Sequence, residues 1–82
     1  MAVPLVEIHL FAAARAAVGS PSVSAAPGSL ADILDRLEAD HPAFAAVRPR
    51  CSYLIDGTTA HGTDVDVPSG SRIDVLPPFA GG

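Results

Sequence analysis

One amphipathic helix is the feature of this sequence that most restricts the fold. Leucine and isoleucine side chains recur at helical spacing within residues 30–40, at Leu30, Ile33, Leu34 and Leu37. This spacing gives one continuous apolar face. Ser29 is a favourable N-cap, and His41-Pro42 ends the helix because a residue before proline avoids the α region. Such a helix needs another layer, a sheet or a second helix, to cover its apolar face.

Strand patterns both precede and follow this helix. Residues 3–11 alternate apolar with other side chains, which puts Val6, Ile8 and Leu10 on the expected core face. Residues 12–19 are ambiguous, because their alanines favour a helix whereas the Gly and Pro that follow end any regular element. Further extended segments are predicted at residues 22–25, 51–55, 60–67 and 72–76, with a turn at Asp56-Gly57.

This order of elements predicts an α+β roll, in which one main helix packs across one mixed sheet. A chain of 82 residues is long enough for one small domain. We expect that domain to span residues 1–76 and to be followed by a flexible tail, residues 77–82.

The charge and composition exclude several functions. The formal net charge is −4, and the five basic residues are all arginine. With no basic stripe, no Trp and one Tyr, nucleic-acid binding is not expected, and the acidic balance suits a basic protein partner. The sequence contains no apolar run long enough to span a membrane and does not begin with a signal-peptide pattern. Cys51 is the one cysteine, which predicts a reducing, cytoplasmic environment.

The last six residues carry the strongest functional signal. Pro77 and Pro78 cannot extend a sheet by an N–H group, and they hold the backbone extended. Six extended residues reach roughly 20 Å. Gly81 and Gly82 have no side chains, so they can thread a narrow channel in another protein. The α-carboxylate of Gly82 is then the expected reactive group: its attack on ATP gives an acyl-adenylate, which a sulfur donor can convert to a thiocarboxylate.

The absence of lysine has two interpretations. One is a biased base composition in the source genome, since Ala, Gly, Pro and Arg are frequent. The other is functional: a protein that carries an activated carboxyl group gains by lacking amines that could be acylated. Both interpretations exclude a lysine nucleophile in this chain.

Several stretches resemble the small subunit of molybdopterin synthase (MoaD), within a wider sulfur-carrier group that includes the thiamine-pathway carrier ThiS. Residues 10–19 match the opening pattern F-A-x-x-R-x-x-x-G, with Phe11 and Arg15 at its conserved letters. The Asp56-Gly57 turn and the closing DVLPPFAGG of residues 74–82 are similar as well. The match departs from the pattern at Ala16, where an acidic residue is common.

The resemblance implies a β-grasp, ubiquitin-like fold and a carrier function. It implies that a MoeB-like enzyme uses ATP to adenylate Gly82, that Gly82 becomes a thiocarboxylate, and that the chain itself holds no cofactor. It also implies that the tail enters a MoaE-like large subunit, in an expected heterotetramer, where sulfur passes to the molybdopterin precursor. The chain would be a non-catalytic carrier subunit of this sulfurtransferase. Two alternatives remain: a carrier for thiamine-thiazole or cysteine biosynthesis, and a ubiquitin-like interaction module without an activated tail.

The predicted partner contacts lie beside the tail. Phe11 shares strand parity with Glu7, and Leu76 with Asp74, so both apolar side chains are expected on the outer face of the sheet. They form either a docking patch, which the resemblance favours, or scattered surface hydrophobes. Arg15 either pairs with an acidic partner residue or caps its loop. The remaining predicted contacts are Pro77, Pro78 and Phe79.

The other chemically active side chains are given structural roles. Cys51 is more typical of a small core residue than of a sulfur-relay thiol. His9, His41 and His61 lack the spacing of metal ligands, so no metal site is predicted.

Overall fold

The computed structural model describes residues 5–78. Its helices are α1 (Ala12–Val18), α2 (Leu30–Asp40) and α3 (Phe44–Val47), and α3 continues into a 3₁₀ turn, Arg48–Arg50. Its strands are β1 (Val6–Leu10), β2 (Ser22–Ala25), β3 (Gly28–Ser29), β4 (Ser52–Ile55), β5 (Thr58–Thr59), β6 (Asp66–Val67) and β7 (Arg72–Leu76). No helix among these residues has the length and apolar character that a membrane crossing requires.

Five strands form one mixed sheet in the order β2-β1-β7-β4-β5. The β1 and β7 strands pair in parallel, whereas the β1–β2, β4–β7 and β4–β5 pairs are antiparallel. Strands β3 and β6 make a separate pair beside the start of α2. The predicted α+β architecture is therefore confirmed, and its central strand is the last one in the chain.

Helix α2 has the bounds that the sequence predicts. The Ser29 hydroxyl accepts a hydrogen bond from the backbone N–H of Asp32 at 3.1 Å, as an N-cap does. The helix ends at His41, whose N–H donates to the Leu37 carbonyl. The four residues of the apolar face, Leu30, Ile33, Leu34 and Leu37, are all buried.

The ambiguous segment after β1 is the helix α1. Gly19 ends it in the left-handed conformation, with φ at 81°, and its N–H donates to the Arg15 carbonyl. Ala14 and Val18 are the buried residues of α1. Ala12, the first residue, has φ at 50°, a conformation that strains a residue with a Cβ.

The core lies between α2 and one face of the sheet. Val6, Ile8 and Leu10 of β1 are buried there, as the alternation predicts. Ile73 and Val75 of β7 lie on the same face. Phe44 of α3 is fully buried too, so the apolar segment after α2 closes one end of the core.

The Asp56-Gly57 turn is confirmed as a two-residue hairpin connection. Ile55 pairs with Thr58, and both turn residues have positive φ, as a type I′ turn requires. The Asp56 carboxylate also accepts a hydrogen bond from the Arg72 N–H at 2.9 Å. The turn is therefore tied to the beginning of β7.

Candidate functional site at the base of the C-terminal tail

The base of the tail lies at the end of the central strand. In the parallel pair, Leu10 of β1 lies opposite Val75 of β7, so both strands end at the same edge of the sheet. On the other side of β7, Ser52 lies opposite Leu76. Pro77 is half-buried and Pro78 is exposed. The tail therefore starts between the end of β1 and the beginning of β4, on a strand that is hydrogen-bonded on both sides.

Phe79, Gly81 and Gly82 are predicted site residues that lie outside the described residues. The predicted boundary between domain and tail, at residue 76, coincides with the last residue of β7. The conformation and flexibility of the tail stay predictions.

Phe11 and Leu76 both lie outside the buried core. Phe11 follows β1 directly and is 40% exposed. In β7, Ile73 and Val75 are buried whereas Leu76 is half-buried, because strand alternation turns it to the other face. We call this other side, which α2 does not cover, the open face. Leu76 has the predicted strand parity, whereas Phe11 lies beyond the end of β1, so its side of the sheet and the docking role of both residues stay predictions.

Leu54 is a further apolar side chain of the open face that the sequence reasoning did not single out. It is half-buried and lies opposite Asp74 of β7. Its neighbours Tyr53 and Ile55 contribute to the core. The alternation of β4 was the available signal, since Tyr53 and Ile55 on one face place Leu54 on the other.

Charged groups of the open face pair with one another. Glu7 contacts His9 along β1, and Arg72 donates to Asp74 along β7 at 2.7 Å. The register places Glu7 opposite Arg72 and His9 opposite Asp74. These pairs stabilise the fold little, because exposed ion pairs contribute about 0–1 kcal/mol. Leu54 and Leu76 are apolar side chains of β4 and β7 on this face.

Arg15 is exposed on α1. Its backbone carbonyl accepts from Gly19 and so caps the helix, but its side chain pairs with no carboxylate among residues 5–78. The two roles predicted for Arg15, pairing with an acidic partner residue or capping its loop, therefore both stay predictions.

Arg48, in the 3₁₀ turn, has a different environment. It pairs with Asp35 at 2.9 Å and with Glu38 at 3.3 Å, which ties the turn to α2. Burial alone lowers the pKa of its guanidinium, but the hydrogen bonds to both carboxylates outweigh this effect and raise the pKa. Arg48 is therefore a structural cation.

Cys51 has the surroundings of a structural thiol. Its Sγ donates a hydrogen bond to the Val47 carbonyl at 3.4 Å, and burial raises its pKa. Because the thiolate is the nucleophile, a raised pKa makes this thiol less reactive.

The neighbouring Tyr53 hydroxyl donates a hydrogen bond to the Arg48 carbonyl, and burial is the main cause that raises the pKa of Tyr53 to about 12. No group of three His, Cys, Asp or Glu residues within 5–78 is arranged to hold a metal ion.

Comparison with known proteins also covers the tail residues 79–82, which lie outside the described residues. The model of the ThiS family matches residues 8–82. A similar structure is that of small archaeal modifier protein 1 from Methanosarcina acetivorans, with a TM-score of 0.84, 24% identity and 100% of both chains covered. The same-named protein of Haloferax volcanii has a TM-score of 0.82 and 26% identity, over 95% of this chain and 99% of that chain.

A third similar structure is the complex of subunits 1 and 2 of molybdopterin-converting factor from Helicobacter pylori. Its TM-score is 0.71 and its identity 17%, over 95% of this chain and 99% of that chain. No curated protein matches the chain in sequence.

The structural likenesses confirm the predicted β-grasp fold, which these neighbours share. The family match covers the opening pattern with Phe11 and Arg15, the whole of β7 and the terminal glycines. The resemblance inferred from the sequence is thereby confirmed at the level of the family. The chain belongs to the ThiS family of ubiquitin-like sulfur carriers.

Proposed function

We propose that this protein is the small subunit of a molybdopterin synthase and donates sulfur from a thiocarboxylate on Gly82. The observation that carries the proposal is the family match, which runs through the terminal Gly81-Gly82. In the structure, Pro77 and Pro78, which precede this segment in the sequence, follow directly from β7, the central strand of the sheet. The protein acts as a carrier and co-substrate, and its partners supply the catalysis.

The proposed chemistry has two loading steps. A carboxylate oxygen of Gly82 attacks the α-phosphate of ATP on a MoeB-like enzyme, which releases pyrophosphate and forms an acyl-adenylate. Hydrosulfide supplied by a sulfur donor then attacks the carbonyl carbon, AMP leaves, and loss of a proton gives the thiocarboxylate. The chain contributes a reactive terminus without side chains and a firmly held base, because β7 is hydrogen-bonded to β1 and β4.

We assign partner docking to the open face and the tail. Phe11, Leu54 and Leu76 supply apolar contact area beside the base of the tail, and Pro77 and Pro78 offer no N–H for further sheet pairing. The Helicobacter pylori neighbour is a complex of subunits 1 and 2 of molybdopterin-converting factor. By analogy, the partner is a MoaE-like large subunit, and the assembly is a heterotetramer of two small and two large chains.

A second candidate function begins with the same activation and ends on a different acceptor. The similar structures from Methanosarcina and Haloferax are named modifier proteins, and their TM-scores of 0.84 and 0.82 exceed the 0.71 of the molybdopterin-converting factor. In this function an amine of another protein attacks the activated Gly82. The lack of lysine in this chain favours such chemistry too, because the carrier offers no side-chain amine to an activated terminus. Thiamine-thiazole and cysteine biosynthesis remain further sulfur acceptors.

Reconstitution with the acceptors separates these functions. The thiocarboxylated protein is mixed with the MoaE-like subunit of its organism and the molybdopterin precursor, and dithiolene formation is measured. We expect product, return of Gly82 to a carboxylate, and no covalent adduct on the large subunit. Sulfur that stays on the carrier in this mixture, together with adducts on lysines of other proteins in a parallel mixture with ATP and the MoeB-like enzyme, would favour the modifier function instead.

A further inference from the structure

The charges of this acidic chain are distributed unevenly around the tail. Two segments flank the base of the tail: residues 10–22, which begin with Leu10 opposite Val75, and residues 44–52, which end with Ser52 opposite Leu76. Their helices α1 and α3 also pack against each other. These segments contain Arg15, Arg48 and Arg50 but no Asp or Glu. All nine carboxylate side chains of the sequence lie in other segments.

Two of these three arginines have no ion-pair partner among the described residues. Arg48 is neutralised by Asp35 and Glu38 of α2. Arg15 and Arg50 are exposed, and no carboxylate of residues 5–78 forms an ion pair with either guanidinium. The base of the tail is therefore locally basic in a protein with a net charge of −4.

The position of these arginines determines what they can contact. Four residues separate Pro78 from the reactive terminus of Gly82, and four extended residues span about 14 Å. When the tail is threaded into an enzyme, the reacting carboxylate is therefore far from Arg15 and Arg50. Because Arg15 and Arg50 lie in the segments that flank the base of the tail, the surface around the mouth of the channel is nearer to them than the ATP phosphates are.

We propose that Arg15 and Arg50 form a basic collar around the base of the tail, which docks on an acidic rim of the adenylating enzyme. The inference rests on the proposed adenylation of Gly82. We commit to the adenylating enzyme because sulfur loading precedes every transfer to an acceptor. The net charge of −4 suggests a basic partner for the surface as a whole, whereas the collar concerns only the exit of the tail, where two arginines are exposed.

The test compares variants of equal net charge. The double variant Arg15→Gln/Arg50→Gln removes the collar and lowers the net charge by two. Thr58→Glu/Ser69→Glu lowers it by the same amount at exposed positions near the opposite end of the sheet. Association and dissociation rates with the MoeB-like enzyme of the same organism are measured by stopped flow at several salt concentrations. Formation of the thiocarboxylate on the unaltered protein is followed in parallel.

We expect the collar variant to bind roughly two- to thirtyfold more weakly at low salt, mainly through slower association, since each of the two exposed pairs contributes about 0.2–1 kcal/mol. The matched control should change less than about twofold, and high salt should remove most of the difference. Equal effects of both double variants, or tighter binding by the collar variant, would overturn the collar. If the unaltered protein binds but is never loaded with sulfur, the proposed function itself fails.

Discussion

Substitution of Phe11 by alanine should weaken partner binding and leave the domain folded. Phe11 is 40% exposed, so a partner that covers it removes about 80 Å² of aromatic surface from water, taking ~200 Å² for the whole ring. At about 25 cal/mol per Å² this contact contributes about 2 kcal/mol, or roughly thirtyfold in affinity. Calorimetric titration with the MoaE-like subunit measures this loss directly.

Phe44→Ala is the matched control, because it removes the same ring from a fully buried position. It leaves a cavity in the core and should lower the free energy of unfolding by about 3–5 kcal/mol. Phe11→Ala leaves no enclosed cavity and should cost about 1 kcal/mol, which urea unfolding resolves. The reasoning is refuted if Phe11→Ala unfolds the monomer as Phe44→Ala does, or if it binds the partner with unchanged affinity.

Three further predictions concern single groups of the structure. Ser29→Ala should lower the free energy of unfolding by about 1 kcal/mol because it removes the cap of α2, whereas Ser29→Asp should keep most of the stability that the cap contributes. Equal urea midpoints for Ser29→Ala and the unaltered protein would show that the cap contributes nothing. Ala12→Gly should raise the free energy of unfolding by about 0.5 kcal/mol, since glycine adopts φ of 50° without strain, and a lower midpoint would contradict this. Because burial raises the pKa of Cys51, its thiol should react with a thiol reagent more slowly in the native protein than in urea. For the same reason, the free energy of unfolding should fall as the pH rises past the ordinary thiol pKa, because the thiol of the unfolded chain ionises first. A native thiol that reacts as fast as the unfolded one would contradict that assignment.

Local residue patterns were sufficient to predict the elements whose caps, turns or apolar spacing are encoded in neighbouring residues. Helix α2 combines an apolar face with a cap and a terminating proline, so its bounds were predictable. The Asp56-Gly57 turn was predictable for the same reason, because positive φ at both positions favours these residue types.

Other features depend on contacts between distant segments. Helix α1 begins at a strained Ala12 with no side-chain cap, so tertiary packing of Ala14 and Val18 decides that it forms. The two-residue strands β3 and β6 exist through their mutual pairing and have no periodicity of their own. The arginines beside the tail likewise depend on the register that brings residues 10–22 and 44–52 together, so the overall charge did not predict this local arrangement.

The most direct test of the account is intact-protein mass spectrometry after incubation with ATP, a MoeB-like enzyme and a sulfur donor. We predict the replacement of one oxygen by sulfur, located on Gly82 in the C-terminal peptide, and no change in a variant that lacks Gly82. That deletion should also leave the melting temperature nearly unchanged, because it lies six residues beyond the end of β7. An unchanged mass for the full chain with its cognate enzyme, or sulfur incorporated equally without Gly82, would contradict the carrier function.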